Sequence, residues 1–238
     1  MLPFVISGIF EFKEDIKLKF AGFVIALLTV VALLISGSRG AVLGLCGAYF
    51  IVMLLAEAKK YEFKQILISV FAFLVIFTAV CGVIYNVYAE ALIRGYDMER
   101  VYLWKGAVNM FKDYPVFGVG SDNFNKFYVA EYIDPLAKAK NLTSPHNIFL
   151  HYLSERGLIG GGTFILLVIS QLSILSKNLY SNRFTVNIWV LAGFVSVAGM
   201  CIHGFFDTQL TMRAYSLMYW FLYGIACYSI VYKGIKNE

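Results

Sequence analysis

His146 is the residue of this sequence best placed for proton chemistry. It follows Pro145 where a long polar and aromatic segment runs into an apolar span. It is therefore expected at the water-facing lip of a membrane helix whose first turn the proline can open. An imidazole titrates near about pH 6.5 in water and can take a proton from an attacking hydroxyl. Taken singly, a histidine at a helix start is ordinary. Three arginines change its setting: Arg39 follows the first span, and Arg94 and Arg100 lie on a polar helix that the topology below puts on the same side. Guanidinium forks bind phosphate oxygens bidentately, so several of them beside one histidine suit a pyrophosphate-bearing substrate. Each arginine also has a plainer role open to it. Arg39 can anchor lipid phosphate, and Arg94 and Arg100 can pair with Glu90 and Asp97. No Asp-x-Asp or carboxylate-rich loop accompanies them, so no Mg²⁺ cage is expected in the outer segment. Arginine would then do the metal's work, with no metal or other cofactor required.

Other polar groups are candidates in a supporting role. Asn147 can orient the histidine or a sugar. His203 and Asp207, expected one helical turn apart at the outer end of a span, can form a charge-assisted pair or simply steady the bundle, and Arg213 offers Asp207 another partner. His151 falls roughly 140° round a helix from His146, which argues against a two-histidine metal site. Glu155 and Arg156 precede Gly157-Leu158-Ile159-Gly160-Gly161-Gly162, a run that permits a kink or close helix approach rather than a phosphate cradle. Phe124, Phe127, Tyr128 and Tyr132 can stack on sugars or, more simply, pack the loop down.

The elements that must hold these residues are membrane helices. The 238-residue chain is 60% hydrophobic and 15% charged, against about 25% charged in an ordinary soluble domain. Its net charge of +5 comes mostly from Lys and Arg in short loops beside apolar spans, which set orientation and do not call for nucleic acid. Cys46, Cys81, Cys201 and Cys227 lie in apolar stretches without C-x-x-C spacing, so neither a disulfide framework nor a zinc site is encoded. The start, Met1 to Phe10 followed by Glu11, Lys13, Glu14, Asp15 and Lys17, is no cleavable signal peptide and resembles the tail of a longer apolar helix.

Six stretches are long and apolar enough to span: about 20–36, 40–56, 66–88, 157–176, 187–206 and 214–232. Their connections alternate. Lys13/Lys17/Lys19, Lys59/Lys60/Lys64, Lys177/Arg183 and Lys233/Lys236 mark one side, which the positive-inside rule makes cytoplasmic together with both termini. The segment from Ala89 to Pro145 is then extracytoplasmic. This divides the chain into residues 1–88 (three spans), 89–145 (an outer helical loop) and 146–238 (three spans), an all-α integral membrane protein. Within the loop, Ala89 to Lys112 predicts one amphipathic helix with Met98, Val101, Trp104, Val108 and Phe111 on its apolar face. The stretch Tyr114-Pro115-Val116-Phe117-Gly118-Val119-Gly120 predicts a turn whose glycines take positive φ, followed by a second short helix around 123–132.

Several of these motifs resemble those of the O-antigen ligase and polymerase family, bacterial membrane enzymes that ligate or polymerise lipid-linked glycans. Its ligases carry His, then Asn/Ser/Gln, nine residues, Gly, two residues, and Gly/Thr/Tyr. His146-Asn147, nine residues, Gly157-Leu158-Ile159-Gly160 fits throughout. Also similar are Ser36-Gly37-Ser38-Arg39-Gly40 after a span, Arg100 followed by Trp104 and Ala107, and the Tyr114–Gly120 stretch with Asn123-Phe124. The match runs in order from about residue 20 to the end. The resemblance implies the C-terminal part of an all-helical, GT-C-type membrane glycosyltransferase with an extracytoplasmic helical loop. It further implies Arg39, Arg100 and His146 as the essential residues, a polyprenyl-pyrophosphate-linked glycan as donor, and a glycan or lipid-linked acceptor among membrane lipids. Members usually have ten or more spans. This chain, with about six, is a fragment, or is completed by another chain, or is a shortened member. Two readings from other classes stay open, a lipid-glycan flippase and a non-catalytic partner subunit. A flippase would need ionisable groups near mid-membrane, and these spans hold almost none.

Overall fold

The computed structural model describes residues 1–11, 15–57, 96–138, 142–179 and 186–236. The expected third span, 66–88, together with Arg94 and Cys81, lies outside them. Every regular element among the described residues is helical: α1 (Leu2–Glu11), α2 (Ile16–Ile35), α3 (Arg39–Glu57), α4 (Tyr96–Asp113), α5 (Phe124–Phe127), α6 (Ile148–Lys177), α7 (Ile188–Gly204) and α8 (Arg213–Lys236), with a π turn at Tyr128–Tyr132 and a 3₁₀ turn at Gln209–Thr211. Three of these, over Ile16–Leu33, Ile148–Lys177 and Arg213–Tyr232, are long and apolar enough to cross a membrane, and Gly40–Ile51 and Ile188–Gly204 are shorter apolar helices. The protein is all-α and membrane-embedded. Five of the six expected spans coincide with apolar helices, three of them at full spanning length.

The described chain falls into two compact units, Met1–Ala48 with Thr163–Glu238, and Tyr49–Gly162. In the first unit, short polar residues set the helix limits. The Asp15 carboxylate accepts the amides of Lys17 and Leu18 at 2.9 and 3.1 Å and opens α2. Gly37, at φ 61°, closes it in the left-handed conformation. Ser38 accepts the Ala41 amide at 3.3 Å and opens α3. The sequence Ser-Gly-Ser-Arg-Gly is therefore a stop and a start joined back to back, which puts Arg39 in the first turn of α3. Along α3, Gly40, Gly44 and Gly47 meet α7 so closely that an added Cβ would lie 2.7 Å from His203, 2.6 Å from the Gly199 carbonyl oxygen and 2.7 Å from Ile202. Small residues at this spacing let two apolar helices approach backbone to backbone. Asn187 caps α7 through the Trp189 amide. The outward faces of α2 and α8 carry Phe20, Phe23, Leu28, Leu217 and Phe221, all exposed, as lipid-facing helices must.

The second unit is built on α4, α5 with its π turn, and the first part of α6. Its core is Leu103, Ala107, Met110, Val119, Phe124 and Tyr128. The helix expected over Ala89–Lys112 is present as α4 from Tyr96, but its buried face is a different one. Leu103, Ala107 and Met110 are inside, whereas Met98 is exposed. Both flanks of this helix are apolar, and Gly106 decides between them. An added Cβ there would lie 2.7 Å from the Tyr128 ring, so the helix turns its narrowest side to the π turn. Phe124 and Tyr128 are fully buried and stacked at 5.7 Å, which makes them packing residues. Tyr132 donates its hydroxyl to Asp113 at 2.7 Å. Cys201 and Cys227 are free thiols.

Candidate functional site

Asn147 opens α6. Its side-chain oxygen accepts the amides of Phe149 and Leu150, both at 3.0 Å, so the helix starts at Ile148, after the proline and the histidine and not at them. His146 stands outside the helix with φ at 50°. That left-handed conformation costs a non-glycine residue of order 1–3 kcal/mol, and such positions cluster at functional sites. The angular argument separating His146 from His151 on one helix therefore does not apply. His151 is buried within α6, with its Nε2 3.6 Å from Glu155 Oε2.

Ten residues after Asn147, α6 is broken. Gly157 has φ 61° and ψ −162°, a combination essentially reserved for glycine. In an unbroken helix the amides of Leu158 and Ile159 would donate to the carbonyls of Ser154 and Glu155. Here all four groups turn to the 114–120 stretch instead. Leu158 donates to Pro115 O at 2.7 Å and Ile159 to Val116 O at 3.3 Å. Val119 donates to Ser154 O at 3.0 Å and Gly120 to Glu155 O at 2.8 Å. The turn is thus spliced into the helix ladder, and these four backbone groups find their partners across the break. Two glycines make room. An added Cβ on Gly118 would lie 2.3–2.5 Å from the Glu155 and Arg156 backbone, and one on Gly157 2.3 Å from Val116. Gly118 and Gly120 have φ of 70° and 92°, as the sequence predicts.

Glu155, 1% exposed, completes the joint. Its Oε2 accepts the amide of Asp122 at 3.0 Å and its Oε1 that of Phe124 at 3.1 Å, so one carboxylate holds the start of α5 against α6. Sequence reasoning missed this role. A glutamate beside a glycine run in an apolar helix is the signal that could have drawn attention to it. Burial, with Glu99 and Asp134 adding to it, raises the Tyr128 phenol above its usual range, which fits its place as a neutral core residue.

The candidate residues divide between the units. Arg100, half-buried on α4, belongs with His146 and Asn147 to the second unit. Arg39, His203, Asp207 and Arg213 belong to the first. There α7 ends at Gly204, so Asp207 lies beyond the helix and not one turn along it, and its carboxylate accepts the Thr208 amide at 2.8 Å. His203 lies against Gly40 and approaches Ser38 Oγ at 3.4 Å and Gln209 Nε2 at 2.7 Å. Arg213 is exposed at the head of α8. A cavity of about 620 Å³, mostly apolar, is lined in part by Ser38, His203, Asp207 and Gln209. Among the described residues no cluster of His, Cys, Asp or Glu could hold a metal ion.

Membrane-spanning helices, a buried joint built on the Tyr-Pro turn and the glycine break of α6, and an arginine-bearing helix beside it define a polytopic membrane protein. Residues 24–167, more than half of the chain, match a family profile described as O-antigen ligase, and the chain belongs to that family. It is also 27% identical over 230 residues to an uncharacterized protein of Haemophilus influenzae, across 89% of this chain and 56% of that protein. The chain thus spans little more than half the length of this curated relative.

Proposed function

We propose that this chain carries out, within a membrane glycan ligase or polymerase, the transfer of a glycan from a polyprenyl-pyrophosphate donor to an acceptor hydroxyl at the extracytoplasmic face. The observation that carries the reading is the family match over residues 24–167, which includes Arg39, Arg100, His146 and the Asn147-to-Gly157 spacing. His146 takes the acceptor's proton as the acceptor oxygen bonds to the anomeric carbon. The anomeric carbon–phosphate oxygen bond breaks on the opposite side with inversion, and the polyprenyl pyrophosphate leaves with its electron pair. Arg39 and Arg100 hold that pyrophosphate, and their forks neutralise the negative charge as it develops. Asn147 acts by ending the helix short of His146, which frees the histidine from helical geometry. The apolar cavity beside Ser38 suits the hydrocarbon part of a lipid-linked substrate.

The test is product formation from a purified lipid-linked donor by the protein in proteoliposomes. His146→Ala is expected to lower turnover roughly 10²–10⁴-fold, the usual contribution of a positioned general base, while expression persists. Arg100→Lys, which keeps the charge and loses the fork, is expected to remain impaired. Full activity of the His146 variant would remove the catalytic role. Because the chain covers 56% of its Haemophilus relative, a second reading is a partner subunit that acts only with further membrane segments. Assays with and without the upstream reading frame distinguish the two.

A further inference from the structure

Val116 and Phe117 are 50% and 75% exposed at the tip of the turn spliced into α6. Leu158 and Ile159, whose amides donate to Pro115 and Val116, are 63% and 56% exposed. Four large apolar side chains therefore share one patch, fixed by backbone bonds on both sides of the break. The helix itself indicates what surrounds the patch. Past the break at Gly157, residues 158–177 run on for about 30 Å at about 1.5 Å per residue, which is the thickness of a hydrocarbon core. The stretch before Gly157, where Ile148, Ser154 and Glu155 are buried, is not needed to span it. Between Gly157 and Lys177 the large exposed residues are apolar: Leu158, Ile159, Leu166, Leu167, Ile169 and Ile174. Arg156, exposed and 4.7 Å over the Tyr152 ring, supplies the cation and aromatic pair found at the level of lipid headgroups.

We propose that the Tyr114–Gly118 turn is an interfacial membrane anchor. Val116 and Phe117 insert among lipid acyl chains beside Leu158 and Ile159, and Arg156, held on Tyr152, takes a lipid phosphate. Continuity with the lipid-facing flank of α6 favours lipid over a protein partner as the occupant. The anchor fixes the depth of the joint at the bilayer surface, and it stands whether or not the chain transfers glycans.

The experiment uses the full chain in nanodiscs of phosphatidylethanolamine and phosphatidylglycerol, in a background with the four native cysteines replaced. An environment-sensitive fluorophore is attached at Phe117→Cys, at Val116→Cys as a second site, and at Lys126→Cys as an exposed control on α5. Labels at 116 and 117 are expected to be quenched by doxyl-lipids, to resist aqueous iodide, and to report a depth of about 5–10 Å below the headgroup boundary. The label at 126 is expected to show the reverse. Iodide access at 117 equal to that at 126 would overturn the anchor. Protection from both quenchers would overturn it too, since a protein surface would then be the occupant.

Discussion

Three residues at the head of α6 divide the labour between chemistry and architecture, and each can be tested separately. His146 holds a left-handed backbone at φ 50°, so His146→Gly removes the imidazole and relieves strain of roughly 1–3 kcal/mol. It is expected to keep or raise the unfolding midpoint in detergent while transfer is lost, which would show that the loss is chemical. Asn147→Ala removes a cap that serves two amides and should cost about 0.5–2 kcal/mol, with Asn147→Asp restoring most of it. Glu155→Ala strands the buried amide of Phe124 and removes the partner of the part-buried amide of Asp122. The expected loss is about 1–3 kcal/mol from the Phe124 amide, less from that of Asp122, and smaller in all for Glu155→Gln, which keeps one acceptor oxygen; chemical denaturation would measure both. The sequence makes His146 and its asparagine conspicuous, because proline, histidine and asparagine at a polarity boundary are unusual together. Glu155 stays hidden, because its partners are amides more than thirty positions away and amides have no identity in a sequence.

At the level of elements, the turn and the helix break form a single piece. Gly118→Ala and Gly157→Ala each push a Cβ to about 2.3 Å from backbone of the other strand of the joint and force a left-handed angle on an L-residue. The angle alone costs roughly 1–3 kcal/mol. Both variants are expected to lose the folded loop, seen as protease sensitivity between residues 113 and 124. Gly162→Ala is the contrast. Nothing lies within 4 Å of its added Cβ, and a helix interior gains up to about 1 kcal/mol from the change. The sequence shows the turn through its Pro-Gly-Gly punctuation, and the kink through its glycine run. It misplaces the buried face of α4, because Val101, Trp104 and Val108 make as good an apolar stripe as Leu103, Ala107 and Met110. Only the contact between Gly106 and Tyr128 chooses, and that contact is not local.

For the whole molecule, hydropathy windows find the apolar helices because a bilayer admits few other structures. They say less about grouping. A division at residues 88 and 145 follows predicted membrane depth; the compact units are bounded at residues 48 and 162, which is a grouping by contacts and not by depth. Sidedness rests on the lysine pattern, and it predicts that an impermeant thiol reagent labels Lys126→Cys on intact cells. Lys19→Cys should react only after permeabilisation, and the opposite outcome would invert the orientation. The packing of α3 on α7 through Gly40, Gly44 and Gly47 is also visible as spacing, although spacing alone does not name the partner helix.

A peptide ladder that changes strands at Gly157 leaves no slack on either side. One residue added between Pro115 and Gly120 would offset the Val119 and Gly120 donors from the Ser154 and Glu155 carbonyls, or the Pro115 and Val116 carbonyls from the Leu158 and Ile159 amides, and open the joint. Insertions and deletions among family members should therefore fall elsewhere, and an alignment with gaps inside this interval would mean that other chains close the break by a different route.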